Sequence, residues 1–373
     1  MFRLSNLIKS TLQEQKSRSL DGSIIIWNMT NRCNLLCHHC YSKASANEKE
    51  SLSLEDILKT IPKLKIANIN FVIFSGGEPL LRKDIFEIAQ CMKDNKIMTY
   101  LSTNGTYINE KNAQKIIDTF NYIGISIDGI GEVHDYFRGQ KGSYAKSIEA
   151  IKTIQKKGGN AGIRFTITKE TESSFYDIFT LAEELNVNKI YISHLVYSGR
   201  GKENLEIDIS KEKRKEYVNF MINKAFEYYE NGKDIDIVTG NMEMDAIMLL
   251  KEFEKKYPDF VNSLKNRLKS WGGNSAGKRL GNMDWNGFVK PDPFFPMTIG
   301  NYLEKDFDKI WLDDNNELLK KLREFPRNIK GKCSSCKYID ICNGGSRSRA
   351  YAISGDLWDE DPSCYLTLEE IKG

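Results

Sequence analysis

From residue 24 onward, short apolar or β-branched runs alternate with longer stretches whose apolar positions recur at helical spacing. The short runs cover residues 24–27, 69–74, 98–101, 122–127, 162–167 and 189–195. The periodic stretches cover 54–64, 83–93, 110–119, 143–156 and 176–185. Strands that alternate with helices predict a parallel sheet with the helices packed outside it. Six strand–helix units fall short of the eight that close a full barrel, so the expected fold class is α/β with a partial (β/α)6 TIM-like barrel. In such sheets the ligand site forms at the C-terminal strand ends.

The pattern divides the chain. Residues 1–22 predict an N-terminal amphipathic helix, with Leu4, Leu7, Ile8 and Leu12 at helical spacing. Residues 23–210 are the barrel, and 211–270 read as a helical connector with one short strand at 235–238. A glycine-rich break at 272–277 opens a smaller domain of short strands and turns, residues 271–373. Within it, 282–289 predicts a hairpin in which Asn286 and Gly287 supply the two positive-φ positions of a type I′ turn.

Composition adds limits. With 373 residues there is enough chain for two or three domains and a large core. A net charge of +3 is too small to argue for nucleic acid or an acidic membrane surface. No apolar run approaches the length of a membrane span, and the N-terminus lacks the apolar core of a signal peptide. The expectation is a cytoplasmic protein without nucleic-acid or membrane partners.

The cysteines change the picture most. Seven of the eight fall in two groups, Cys33, Cys37, Cys40 and Cys333, Cys336, Cys342, Cys364. In a reducing compartment, clustered cysteines argue for metal rather than disulfides. Cys91 stands apart, in a helical pattern, and reads as a core thiol. The first group has CxxxCxxC spacing directly after a predicted strand. Three thiolates on one loop can grip three corners of a cubane iron–sulfur cluster and leave the fourth iron open. The alternative is zinc, with His38 or His39 as the fourth ligand. The second group has four thiols, enough to close a cluster shell or to form a zinc ribbon.

With Tyr41 next, the first group resembles the radical S-adenosylmethionine (SAM) superfamily. That resemblance implies a [4Fe–4S] cluster on Cys33, Cys37 and Cys40. Its open iron chelates SAM, and one electron cleaves SAM to a 5′-deoxyadenosyl radical that abstracts a hydrogen atom from substrate. The stretch Ser75-Gly76-Gly77-Glu78-Pro79 matches the family's GGEP motif, implying contact of Gly76, Gly77 and Glu78 with the SAM amino group. Thr103-Asn104-Gly105 resembles its TNG segment. Ser126 and Asp128, at the end of the fourth predicted strand, suit ribose hydroxyls or the methionyl end, or else cap a turn. Arg164, inside the fifth, needs an anionic partner, for which the SAM carboxylate is a candidate. Arg138 is a second.

The C-terminal group resembles the SPASM/twitch type of auxiliary-cluster domain. The longer SPASM pattern has a further cysteine where this chain has Ser346, and others near Gly272 to Gly277. One auxiliary [4Fe–4S] cluster on Cys333, Cys336, Cys342 and Cys364 is therefore expected.

Segments along the whole chain narrow the resemblance. Among them are Trp27-Asn28-Met29-Thr30, His194-Leu195-Val196-Tyr197-Ser198-Gly199-Arg200-Gly201, Val289-Lys290-Pro291-Asp292 and Gly344-Gly345-Ser346-Arg347-Ser348-Arg349-Ala350. They look like the heme d1 biosynthesis (NirJ-type) enzymes and, nearly as much, those of the alternative heme pathway. The implied substrate is a siroheme-derived tetrapyrrole, 12,18-didecarboxysiroheme, which loses its propionate side chains. Acetate removal is the alternative within this class. The implied reductant is of the ferredoxin or flavodoxin kind. Lys278, Arg279, Arg200, Arg347 and Arg349 are candidate partners for substrate carboxylates. His194 reads either as facing the barrel mouth or as a satisfied core histidine. A peptide maturase forming thioether or carbon–carbon crosslinks is the second reading; such enzymes usually carry an N-terminal peptide-recognition domain, for which some 22 residues before the first strand are too few.

Overall fold

The computed structural model describes residues 1–15 and 22–372. Its strands are β1 (Phe2–Arg3), β2 (Ser23–Thr30), β3 (Ile69–Gly76), β4 (Met98–Thr103), β5 (Tyr122–Ser126), β6 (Ala161–Ile167), β7 (Lys189–His194), β8 (Asp236–Gly240), β9 (Leu280–Met283), β10 (Phe288–Lys290) and β11 (Gly300–Asn301). They form one open sheet in the order β1-β8-β7-β6-β5-β4-β3-β2-β9-β10-β11. Strands β2 to β8 pair in parallel with one another in sequence order. This is the α/β fold expected from the strand–helix alternation.

Side-chain alternation places the core. Ile25, Trp27 and Met29 of β2, Val72 and Phe74 of β3, Ile123 and Ile125 of β5, and Ile163, Phe165 and Ile167 of β6 are buried on the face toward the helices. Ile57, Ile61 and Leu64 of the helix Leu54–Ile66 join them in one continuous core. That helix starts where the Ser53 hydroxyl accepts the Asp56 N–H at 3.1 Å, with Glu55 and Asp56 in its first turn.

Four features differ from the sequence expectation. The stretch 235–238, expected inside a helical connector, is β8, which pairs with β7 from Lys189↔Asp236 to Ser193↔Gly240. The helix Lys211–Glu230 and β8 thus extend the alternation, giving seven neighbouring parallel strands rather than six. Second, β9 runs parallel to β2, so the C-terminal hairpin continues the barrel sheet. Third, in the hairpin only Gly287 has positive φ, at 86°. The Asp284 carboxylate accepts the Asn286 and Phe288 N–H groups at 3.0 and 3.1 Å, and this local turn replaces the type I′ geometry. Fourth, the helix expected from 110 begins at Ala113, because the Asn109 side chain accepts the Lys111 N–H at 3.0 Å and holds the preceding residues in a turn.

At the N-terminus, the expected helix spans Leu4–Leu12, and β1 pairs antiparallel with β8. The rest of that segment, 16–21, lies outside the described residues. Among the described residues no helix is long and apolar enough to cross a membrane.

Candidate active site

The loop 33–40 leaves β2 at its C-terminal end and is gripped from three directions. Cys33 N–H donates to Ser45 O at 2.9 Å, Leu36 N–H to Arg138 O at 3.3 Å, and His38 N–H to Phe137 O at 3.0 Å. Arg200 donates from Nε to Cys37 O at 2.8 Å and from Nη1 to Ala44 O at 3.2 Å. Asn104 Nδ2 donates to Asn34 Oδ1 at 3.0 Å. Cys33 and Cys37 are buried, and Cys40 is partly buried. Burial pushes the Cys33 thiol up to about 12 and raises Cys37 too, against the opposing charge of Arg138. A bare pocket of this kind disfavours thiolates; bound metal would supply the missing positive charge.

The GGEP glycines serve the chain itself. A Cβ on Gly76 would lie 2.3 Å from Thr30 O, and one on Gly77 would lie 2.0 Å from Arg32 O. Their absence lets the end of β3 meet the approach to Cys33, where Gly77 N–H donates to Thr30 O and Glu78 N–H to Arg32 O, both at 2.8 Å. Glu78 is wholly buried. Its carboxylate accepts from Thr103 Oγ1 at 2.7 Å, the Asn104 N–H at 2.8 Å and the Leu80 N–H at 3.1 Å. Glu78 and Asn104 thus lock the ends of β3 and β4 behind the cysteine loop. Asp128 is also wholly buried: one oxygen accepts the Thr166 N–H at 2.6 Å and the other pairs with Arg138.

The remaining expected residues face the sheet's inner side. Register places Asn28 beside Ser75, Ser102 beside Gly124, Ser126 beside Arg164 and Thr166 beside Ser193. This makes a polar rim at the C-terminal strand ends, opposite the helix-covered face. Tyr41 reaches the rim, donating to Asn28 Oδ1 at 2.8 Å, and packs on Phe294 at 5.1 Å. Arg164 is half-buried with its guanidinium 4.4 Å above the Tyr191 ring, and forms no side-chain hydrogen bond or ion pair among the described residues. Gly124 makes room for it, since a Cβ there would lie 2.8 Å from Arg164 Cδ.

The four C-terminal thiols come together. Cys333 lies in the turn Gly331–Ser335, Cys336 follows it, Cys342 ends the helix Ile339–Cys342 and Cys364 follows the turn at Asp361. All four line one cavity, walled by Met244, Ile247, Ile339, Leu366 and Ile371 with Lys332 at its side. Burial pushes Cys333 up to about 12 and also raises Cys336, Cys342 and Cys364. The glycine-rich loop packs on this site: Asn274 N–H donates to Cys342 O at 3.2 Å, and a Cβ on Gly273 would lie 2.3 Å from that oxygen.

A family model described as the Radical SAM superfamily matches residues 27–182. Pre-heme d1 synthase of Dinoroseobacter shibae is 36% identical, over 99% of this chain and 93% of its own length. The chain belongs to the radical SAM superfamily. Fe-coproporphyrin III synthase of Methanosarcina barkeri is also 36% identical, over 93% of this chain and 89% of its own. Mycofactocin maturase MftC of Mycolicibacterium smegmatis is 27% identical over 95% and 85%. Among solved structures, Streptococcus suis SuiB bound to precursor peptide SuiA has TM-score 0.73 at 17% identity, covering 93% of this chain and 76% of SuiB. Native anSMEcpe with AdoMet and a peptide has TM-score 0.70 at 18% identity, covering 92% and 93%. The fold is therefore that of radical SAM enzymes with C-terminal SPASM domains, and the protein is an enzyme that uses SAM.

The donor sets fit the superfamily's groups. His38 turns to Glu170, Nδ1 to Oε2 at 2.7 Å, and His39 stacks on Phe137 at 4.6 Å. Among the described residues no three His, Cys, Asp or Glu side chains close on a point fit for a single metal ion. The four C-terminal thiols around one cavity would suit a cluster several ångström across.

Several arginines have other work than the sequence suggested. Arg347 and Arg349 are wholly buried. Arg347 donates to the carbonyls of Gly344, Leu357 and Asp359. Arg349 forms a two-pronged pair with Asp361, at 2.9 and 2.7 Å, and donates to Leu195 O and Asn241 O beyond β7 and β8. Burial opposes ionisation of Asp361, but the Arg349 charge and hydrogen bond, the Ser346 N–H and the Arg347 charge together outweigh it and hold that carboxyl below its usual range. Neither arginine is free for a substrate carboxylate, whereas Arg200 spends Nε and Nη1 on backbone carbonyls and leaves Nη2 without a partner among the described residues. Lys278 and Arg279 are exposed, with Lys278 over Phe325. His194 is the core histidine of its two readings: wholly buried, it accepts from Arg214 at 3.0 Å and faces Asp245 at 3.4 Å. Cys91 is half-buried against the core. Sequence reasoning missed that Arg138 donates to Cys37 Sγ, at 3.6 Å. Its one signal was an arginine at a helix end beside the polar strand ends.

Proposed function

We propose that this protein is a radical SAM enzyme of the heme-biosynthesis type that removes propionate side chains from 12,18-didecarboxysiroheme. The observation that carries the reading is the whole-length likeness to pre-heme d1 synthase, which takes in both cysteine groups. Cys33, Cys37 and Cys40 would hold a [4Fe–4S] cluster with one open iron, and Cys333, Cys336, Cys342 and Cys364 a closed auxiliary one. When bound, the first cluster supplies the electron that cleaves SAM to methionine and a 5′-deoxyadenosyl radical.

The chain's own residues then divide the work. Arg164, a cation without a carboxylate partner, takes the SAM carboxylate. Ser126 beside it holds a hydroxyl of the same molecule, and Tyr41 with the backbone at Gly76 and Gly77 forms the near wall. Glu78, Asn104 and Asp128 act one layer back, fixing the strand ends and the loop. The polar rim orients; the apolar barrel below excludes water from a radical that would otherwise be quenched.

The test is an anaerobic assay of reconstituted protein with SAM, dithionite and didecarboxysiroheme, followed by product mass. Loss of propionates is expected. Loss of acetates instead would move the protein to the reaction implied by the alternative heme pathway, whose resemblance is nearly as strong. The match to MftC favours one further reading, a peptide maturase. Tight binding of a precursor peptide with no tetrapyrrole turnover would establish it in place of ours.

A further inference from the structure

The three thiols of the first loop have unequal neighbours. Cys33 Sγ accepts the Leu35 N–H at 3.4 Å, and Cys40 Sγ lies 3.4 Å from the Ser42 hydroxyl. Cys37 Sγ accepts from Arg138 Nη1, the one charged donor to any of these thiols among the described residues. The docking is built from both sides. The carbonyls of Phe137 and Arg138 take the N–H groups of His38 and Leu36, which flank Cys37. Gly139 ends the helix Glu132–Arg138 at φ 69°, and a Cβ there would lie 2.9 Å from Leu36 O. Only glycine lets the helix end close on the loop.

The guanidinium is itself fixed. Arg138 is buried and ion-paired with Asp128, which is wholly buried. Asp128 is anchored through the Thr166 N–H on one oxygen, and its own N–H donates to His134 Nδ1 at 3.1 Å. His39 Nε2 lies 3.9 Å from the second oxygen. Arg200, the other cation at this loop, grips backbone carbonyls rather than sulfur. A buried, correctly aimed charge acts at low effective dielectric and needs no reorganisation when the electron arrives.

We propose that Arg138, aimed by Asp128, is a positioning and tuning residue: it fixes the Cys37 thiolate and raises the reduction potential of the cluster held at Cys33, Cys37 and Cys40. A cation hydrogen-bonded to a ligand sulfur favours the more negatively charged, reduced cluster, and Asp128 offsets part of that effect. The two residues therefore act in opposite directions. The inference rests on the radical SAM reading, since it needs a cluster at this loop.

The test is a redox titration of the reconstituted full chain, following the EPR signal that changes on adding SAM. Arg138→Gln is expected to move the midpoint to more negative potential, Asp128→Asn to more positive potential, and Arg138→Lys to stay near wild type. Iron and sulfide content is measured alongside. An unmoved midpoint in Arg138→Gln with wild-type iron content overturns the proposal. If Arg138→Gln fails to hold the cluster, Asp128→Asn decides: an unmoved midpoint overturns it equally, whereas a negative shift shows the guanidinium losing its aim and supports it. A wild-type protein with no SAM-responsive signal counts against the cluster assignment itself, a different failure.

Discussion

The two cysteine sites are built by opposite means. The first takes three thiols from eight consecutive residues, and its precision is borrowed: strand ends, a helix terminus and Arg200 clamp the loop's backbone from outside. The second draws four thiols from residues 333–364, carried on turns and short helices, into an apolar-walled cavity that Met244 and Ile247 help to close. Buried charge sits against a sulfur at the first site, through Arg138. At the second, the half-buried Lys332 donates to the carbonyls of Cys364 and Leu366, at 3.0 and 3.1 Å, and its charge also favours the Cys364 thiolate, against the burial that raises that thiol. The difference fits one open site where chemistry starts and one closed site that serves it.

The comparison can be broken in order of effect. Cys40→Ala should abolish formation of 5′-deoxyadenosine from SAM under dithionite and remove about half of the bound iron. Cleavage at a wild-type rate would end the assignment of the first site. Cys336→Ala should lose the other half and the tetrapyrrole product, while retaining uncoupled SAM cleavage. If its iron content and product match wild type, the auxiliary cluster is wrong. Arg349→Met leaves Asp361 charged and buried without its partner, and should cost about 3–5 kcal/mol in urea unfolding. A loss below about 1 kcal/mol would show that the pair does not join the C-terminal region to β7 and β8.

Two smaller effects sharpen it. Arg164→Gln should weaken SAM binding at least tenfold, from about 1.5–3 kcal/mol for a charge-assisted hydrogen bond, with iron content unchanged. Unchanged affinity would move the carboxylate contact elsewhere. Acid stability reports on His134. Burial, helped by the Arg138 charge, lowers it from 6.5 to about 4, so the fold keeps it neutral where the unfolded chain takes a proton. Stability contributed above pH 6.5 is then lost as pH falls toward 4, at about 1.4 kcal/mol per pH unit. His134→Gln should flatten that slope; an equal slope would remove His134 from the account.

The sequence made the chemistry readable where residue type and spacing suffice. Cys33, Cys37 and Cys40 and the four C-terminal cysteines needed no coordinates to group, and strand–helix alternation gave the sheet. What escaped it was burial and pairing. Arg347 and Arg349 look like surface cations in a glycine- and serine-rich stretch, yet both are enclosed, because carbonyls and Asp361 come from distant turns. Gly76 and Gly77 stood out, but their close approach to the Thr30 and Arg32 backbone did not show in the pattern. Residues 235–238 read as a strand; their place beside β7 depends on pairing that periodicity cannot encode.

The most direct measurement is EPR of two reduced variants with and without SAM, one lacking Cys33, Cys37 and Cys40 and one lacking Cys333, Cys336 and Cys342. The account predicts a SAM-induced change only in the protein that keeps the first group. A SAM response from the protein that keeps only the second would contradict it.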